Sequence, residues 1–338
     1  MRSTKCCVKT AKRGSRRTPF FLCAFALLTS SALSQETTLR FQANAVLVPA
    51  LVKDQQGAIV YGLHAEDFVV LDDGEEQPVR LDETPEGQPV SLVVAVQRGR
   101  RAYYEFPRMQ GLNSMLDPLF SQGTARVALV EFDSQVELAR DFTKDPSLIA
   151  ADLTALQSGD GGAAILDAVS YSVGLLKQEP EQRQRVLLLI SETRDHGSHL
   201  KTDAVVSAIG QANTLMYALA FSPALSNILD TGRGTNKDEM HNDVNVLDLM
   251  DRARQAMRKN VPSTIAFMTG GEYELFATRK KFDLRMNDFT NHLHSRYLLS
   301  IAPKNPHPGL HQIRVRLKDA SSVTVLARSS YWAEGNNR

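Results

Sequence analysis

Two hydrophobic patterns follow one another along the chain. Residues 45–52 form an apolar run that a polar turn at Asp54-Gln55-Gln56-Gly57 closes. Residues 68–71 form another, closed by Asp72-Asp73-Gly74 and followed by the short Pro78-Val79-Arg80-Leu81 segment. Short apolar runs punctuated by Asp/Gly turns predict a small antiparallel β unit. The stretch Thr84-Pro85-Glu86-Gly87-Gln88-Pro89 reads as a linker. From Val90 the pattern changes. Residues 90–96 are almost continuously apolar, as expected of a strand covered on both faces of a parallel sheet. Met109, Leu112, Leu116, Leu119 and Phe120 then recur at helical spacing and predict a helix over 108–120.

The same reading predicts a strand over 126–132, a hairpin partner through 136–138, and helices over 146–156 and 164–177. A strand at 185–190, a helix at 202–213 and a strand at 215–221 follow. This alternation defines an α/β fold class with a doubly wound, mostly parallel sheet. Residues 222–245 break the rhythm with glycines, asparagines and aspartates, and predict a flexible surface loop. Helices over 246–259 and 282–294 flank Thr269-Gly270-Gly271, and residues 297–301 are expected to be a late strand of the main sheet. Strict alternation returns in 313–317 and 323–326. These strands are expected to complete the β unit begun at residue 45, because neither half makes a sheet alone.

Charge and composition add an export reading. Residues 1–34 hold seven of the 39 basic residues and no acidic one, then an apolar run from Phe20 to Leu28, then Ser31-Ala32-Leu33-Ser34. That order reads as a signal peptide cut after Ser34, with an apolar run too short to span a bilayer. The remaining residues carry 32 basic against 38 acidic groups, a mildly acidic balance that argues against nucleic acid as a partner. All three cysteines (Cys6, Cys7, Cys23) precede residue 35, so residues 35–338 have no thiol for disulfides, cysteine catalysis or Cys-based zinc. A secreted or periplasmic location follows from this reading, without a stable membrane span after cleavage. The expected organisation is a signal peptide over 1–34, an N-terminal β segment over 35–87, an α/β domain over 88–303 and a C-terminal β segment over 304–338.

The segments Val52-Lys53-Asp54 to Gly57, Val60-Tyr61-Gly62-Leu63, Glu66-Asp67-Phe68, Leu71-Asp72-Asp73-Gly74 and Gln77-Pro78-Val79 resemble the N-terminal signature of the VWFA-related family of bacterial exported proteins. Tyr297-Leu298-Leu299-Ser300-Ile301-Ala302-Pro303 and Ile313-Arg314-Val315, ending near Tyr331, resemble its C-terminal signature. Gly161-Gly162 with Asp167-Ala168, and Thr269-Gly270-Gly271, resemble internal landmarks of a von Willebrand factor A-type domain. The resemblance implies a divalent-cation site at the C-terminal edge of the sheet, built from an Asp-x-Ser-x-Ser loop, a Thr after paired glycines and an Asp after a later strand. Oxygen donors suit Mg²⁺, which is hard and near-octahedral. On this chain those positions are Val96, Arg98, Arg100, Ala163 and Glu192. Four of the five have no ligating oxygen and two are cations, so the site is expected to be degenerate, with no metal and no cofactor.

The first reading of Arg98, Arg100 and Glu192 is therefore an ion-pair cluster where a cation site decayed. The sharper one is that a guanidinium takes over the metal's task and grips an Asp or Glu of a protein partner through a bidentate fork. Other constellations are weaker. His196 and His199 beside Asp195 lack a third rigid ligand. His292 and His294 point to different sides of a helix. Gly159-Asp160-Gly161-Gly162 lacks the Lys-Ser/Thr of a phosphate loop, and Ser191 and Ser300 have no nucleophile context. Arg252-Ala253-Arg254 and Arg279-Lys280-Lys281 read as solvated helix faces. The expectation is a non-enzymatic adhesion or scaffold module. The alternatives are a metal-dependent receptor with an ion site displaced to Glu192, Asp195, Asp167 or Asp133, and a hydrolase whose residues converge only in the fold.

Overall fold

The computed structural model describes residues 45–82, 88–121, 123–221, 246–303, 306–318 and 322–334. The expected signal peptide, most of the expected linker and the expected loop over 222–245 lie outside the described residues. The chain begins with β1 (Val46–Lys53), β2 (Phe68–Asp72), β3 (Glu75–Gln77) and β4 (Arg80–Asp82). The α/β block then runs β5 (Val90–Gln97), α1 (Leu112–Ser121), β6 (Arg126–Phe132), β7 (Val136–Thr143), α2 (Pro146–Ala155), α3 (Ile165–Gln178), β8 (Gln184–Ser191), α4 (Thr202–Gln211) and β9 (Thr214–Phe221). It continues through α5 (Val246–Lys259), α6 (Val261–Thr269), β10 (Tyr273–Phe276) and α7 (Arg279–Leu293). β11 (Tyr297–Ile301), β12 (Gly309–Leu317), β13 (Thr324–Ala327) and β14 (Ser330–Ala333) follow.

The central sheet has the order β10-β9-β8-β5-β6-β7. All its pairings are parallel except β6 with β7, which is an antiparallel edge hairpin. Every residue of β5 and β9 is buried, as a strand sandwiched between two helical layers requires. One face packs Val93, Ala95, Leu187 and Leu189 against α3, α4, α5 and α6. The other packs Leu92, Val94, Leu188 and Tyr217 against α1 and α7.

The chain ends make two further antiparallel sheets, ordered β13-β1-β11-β4 and β14-β12-β2-β3. Val48, Ala50, Val52, Phe68, Val70, Leu299, Ile301 and Ile313 form their common core. β1 pairs with β13, and β2 with β12, so segments some 250 residues apart share each sheet. Residues 297–301, expected in the main sheet, lie instead between β1 and β4. Periodicity shows that a segment is a strand but says nothing of its neighbour. The strand that pairs with β9 at that edge of the main sheet is β10, four residues long and too short to stand out in the sequence.

α6 also escapes the sequence pattern, because Pro262 looks like a breaker. It sits in the first turn, where its missing N–H costs nothing, and Asn260 caps the helix by accepting from the Ser263 N–H. The expected helix over 108–120 divides into a 3-10 stretch at Ala102–Met109 and α1. Pro107 and Gly111 (φ 97°) explain the division.

Two arginines join the outer strands to the α/β block. Arg328, 4% exposed, donates to the carbonyls of Gly210, Ser330 and Leu47 and to Asn213 Oδ1. Arg296 donates to Tyr217 Oη at 3.0 Å and the Gly270 carbonyl at 2.5 Å, and pairs with Glu272 at 3.2 Å. Lys53 of β1 reaches the same Glu272 at 2.8 Å.

Candidate functional site at the C-terminal edge of the central sheet

The strand order reverses at β5: β6 lies on one side of it and β8 on the other. Loops leaving β5 and β8 therefore separate above the sheet and open a crevice, the usual ligand position in open α/β sheets. Val96 is fully buried near the end of β5, beside Ile190 of β8 and Glu131 of β6. Gln97 closes the strand with a buried amide. Its Oε1 accepts the Glu192 N–H at 2.8 Å and its Nε2 donates to the Gly99 carbonyl at 3.2 Å, which ties the two loops together.

Three loops meet here because glycine lets them. A Cβ on Gly99 would stand 2.1 Å from the Gly162 carbonyl oxygen, and one on Gly162 would stand 2.4 Å from the Ser134 backbone. Backbone bonds complete the junction: Gly159 N–H donates to the Arg98 carbonyl and Arg100 N–H to the Asp160 carbonyl. Arg100 holds a left-handed φ of 53°, a strained backbone for a side chain with a Cβ.

The charges gather on this frame. Arg98 faces three carboxylates, with Nε 3.1 Å from Asp133, Nη2 3.1 Å from Glu137 and Nη1 3.5 Å from Glu131. Burial raises the Glu131 carboxyl above its ordinary range; Arg98 opposes the shift, while Glu137, Asp152 and Asp133 reinforce it. Arg100 pairs with Glu192 at 2.9 Å, and His196 approaches the same carboxylate at 3.5 Å. Asp160 accepts from the Ser134 hydroxyl and from the backbone N–H groups of Gly162 and Ser134, which hold its carboxyl below the usual range. Ala163 is buried, and its N–H and carbonyl both bond to His196 at 2.8 Å.

The five sequence-selected positions thus meet at one edge, but they are an apolar residue, two guanidiniums, a methyl group and one carboxylate already paired with Arg100. This donor set does not fit a hard divalent cation, and a guanidinium at such a point repels a doubly charged ion by about 8 kcal/mol at 4 Å and an effective dielectric near 20. The carboxylates of the displaced-site alternative serve other ends. Asp195 accepts from Leu166 N–H and the Ser198 hydroxyl, Asp167 from the N–H groups of His199 and Leu200, and Asp133 holds Arg98. His196 and His199 face different carboxylates, Glu192 and Asp167. Ser191 is buried and donates to the Glu192 carbonyl.

Sequence reasoning passed over Gln97, Glu131 and Glu137. The available signals were an amide ending an apolar strand and acidic residues across a hairpin. Beyond Arg100 the chain exposes Arg101, Tyr103 (54%) and Tyr104 (73%), with the two rings edge to face at 6.0 Å.

Residues 99–194 match the family model of the von Willebrand factor type A domain. That match supports the expected resemblance, and it lies on an α/β fold whose central sheet is mostly parallel. No curated protein matches the chain in sequence. Among solved structures it is similar to the vWF domain of the type V pili tip protein Mfa5 from Porphyromonas gingivalis, at 16% identity over 32% of this chain and 38% of that one, TM-score 0.29. It is similar to the PilB minor pilin from Streptococcus sanguinis at 12% identity, 64% of each chain and TM-score 0.43. It is also similar to the conserved hypothetical protein BatB from Bacteroides thetaiotaomicron at 14% identity, over 60% of this chain and 98% of that one, TM-score 0.41. The chain thus spans less than two thirds of the first two structures' length.

Proposed function

We propose that the chain is a non-enzymatic, exported interaction module, adhesive or scaffolding, that binds a protein partner at the C-terminal edge of the central sheet without a divalent cation there. The observation that carries this reading is Arg98, a fixed positive charge set among Asp133, Glu131 and Glu137 where the resemblance implies a metal. Arg98 is thereby committed to internal charges. The contact surface falls on its neighbours: Arg100, paired once, Arg101, and the exposed Tyr103 and Tyr104. Arginine and tyrosine side by side are the residue types that dominate binding energy at protein interfaces. A guanidinium selects a partner's Asp or Glu through paired hydrogen bonds. Export rests on the basic, then apolar, then small-residue order of residues 1–34. Among the described residues no helix is long and apolar enough to cross a membrane.

Thermal unfolding in chelator and in millimolar Mg²⁺ tests the metal-free reading. Mg²⁺ is chosen because histidine-containing sites do not favour it. No shift is expected. An ion at a hundredfold excess over its dissociation constant adds about 2.7 kcal/mol, and a shift of that size would overturn the proposal. Partner capture in chelator should be lost in the double variant Arg101→Glu, Tyr104→Ala while its melting curve stays that of the parent. Capture that needs Mg²⁺, or that survives the double variant, contradicts the assigned surface.

A further inference from the structure

Away from this edge, the outer strands bring four metal-ligating side chains together. Asp72 ends β2, Asp73 opens the β2–β3 turn, His307 precedes β12 and His311 lies on it. One ligand atom from each of Asp73, His307 and His311 falls within 4.8 Å of the others. His311 Nδ1 is 2.7 Å from Asp73 Oδ2 and 3.4 Å from Asp72 Oδ1, and His307 Nε2 is 3.3 Å from Asp73 Oδ2.

The orientation of His311 carries the argument. The side chain is 3% exposed, and its Nε2 lies 2.7 Å from the His307 carbonyl oxygen, which can only accept. Nε2 therefore carries a hydrogen, and Nδ1 is left facing two carboxylates. One ring nitrogen against two anions calls for a positive charge between them, a proton or a metal ion. Both Nδ1 and Asp72 Oδ1 are buried without a well-aligned hydrogen bond, although they lie within ion-pair distance of each other. Asp72 is held from behind by the Tyr331 hydroxyl at 3.0 Å. A histidine fixed by its second nitrogen on a backbone carbonyl, and a carboxylate oriented by a hydroxyl, are the supports that metal ligands usually have.

We propose that Asp72, Asp73, His307 and His311 form a zinc site. Two imidazoles and two carboxylates make a four-coordinate nitrogen and oxygen set that suits Zn²⁺ better than Mg²⁺ or Ca²⁺. The His307 ring stacks on His311 at 3.9 Å with the planes 19° apart, so it must turn out of the stack to aim its nitrogen at a shared ion; its side chain is 44% exposed. His311, packed against Tyr331 at 4.7 Å, stays put. The competing occupant is a proton: against the cost of burial, Asp72 and Asp73 keep His311 protonated up to about 10. The site joins the two chain ends, since Asp72 and Asp73 come from the first strands and both histidines from the last. Residues 35–338 have no cysteine, so zinc here does the stapling that a disulfide does in other exported proteins.

The test is calorimetric titration of the metal-stripped full chain with Zn²⁺, with Co²⁺ absorption as a second readout. One equivalent is expected to bind and to raise the melting temperature, with the visible bands of tetrahedral Co²⁺. His307→Ala and Asp73→Asn should each weaken binding about tenfold or more, and His307→Ala, at an exposed position, should do so with the apo melting curve unchanged. Absence of Zn²⁺ binding overturns the proposal. So does binding that is unchanged in both variants, which would place the ion elsewhere, for instance at His196 and His199. Arg100→Ala at the sheet edge should leave the titration unaltered, which separates this site from the proposed contact surface.

Discussion

Replacing Glu272 by Gln should loosen the joint between the outer strands and the α/β block, and the effect should depend on pH in a defined direction. Glu272 follows Gly271 into β10, with its side chain 11% exposed. Burial alone pushes its carboxyl up. The hydrogen bond from His292 and the charges of Arg296 and Lys53 override that and bring it from 4.5 down to about 2. A carboxylate whose folded pKa is depressed contributes stability above its unfolded pKa and loses it as pH falls toward the folded one. The difference between 4.5 and 2 corresponds to about 3 kcal/mol at neutral pH. That agrees with the cost of about 3–5 kcal/mol for breaking a buried ion pair from one side. Gln keeps the shape but leaves Arg296, whose side chain is 3% exposed, beside a neutral amide. Equilibrium urea denaturation of both proteins across this pH range is the assay. The difference in unfolding free energy should be near its full value above pH 4.5 and shrink steadily toward pH 2. Other carboxylates titrate alike in both proteins and cancel. A difference that stays constant across the window, or that is negligible at neutral pH, would refute the reasoning.

Arg98→Leu leaves Asp133, Glu131 and Glu137 facing one another without a counter-charge. The variant should lose about 2–4 kcal/mol at neutral pH. It should regain part of that on acidification, because unpaired carboxylates take up protons in the folded state first; a denaturation series showing a pH-independent deficit would contradict this. Gly271→Ala places a Cβ 1.8 Å from the Met216 carbonyl oxygen, backbone against backbone, between β9 and the turn into β10. A loss above about 3 kcal/mol is expected in chemical denaturation, and a near-neutral effect would show that this turn is not as tight as described.

The α/β alternation was legible because strands covered on both faces need near-continuous apolar runs, as the centres of β5, β8 and β9 have. The antiparallel outer strands announced themselves by alternation and Asp/Gly turns. At the sheet edge, Val96, Arg98, Arg100 and Ala163 offer no side-chain oxygen to a cation in any fold. What the chain's linear pattern does not encode is partnership between distant segments. β11 reads as one more strand, and only the packing of Leu299 and Ile301 with Val48 and Ala50 places it in the outer sheet. Arg98 reads as a member of an ion-pair cluster with Arg100 and Glu192, and only the β6–β7 hairpin gives it Glu131 and Glu137 as partners. Asp72 and Asp73 lie more than 230 residues from His307 and His311, and each pair alone is an ordinary turn or an ordinary surface histidine motif. Hydrophobic periodicity is local, so one sequence determines its own elements and their faces. Electrostatic and metal-ligand chemistry needs atoms within a few ångströms of one another, and only the tertiary structure decides which atoms those are.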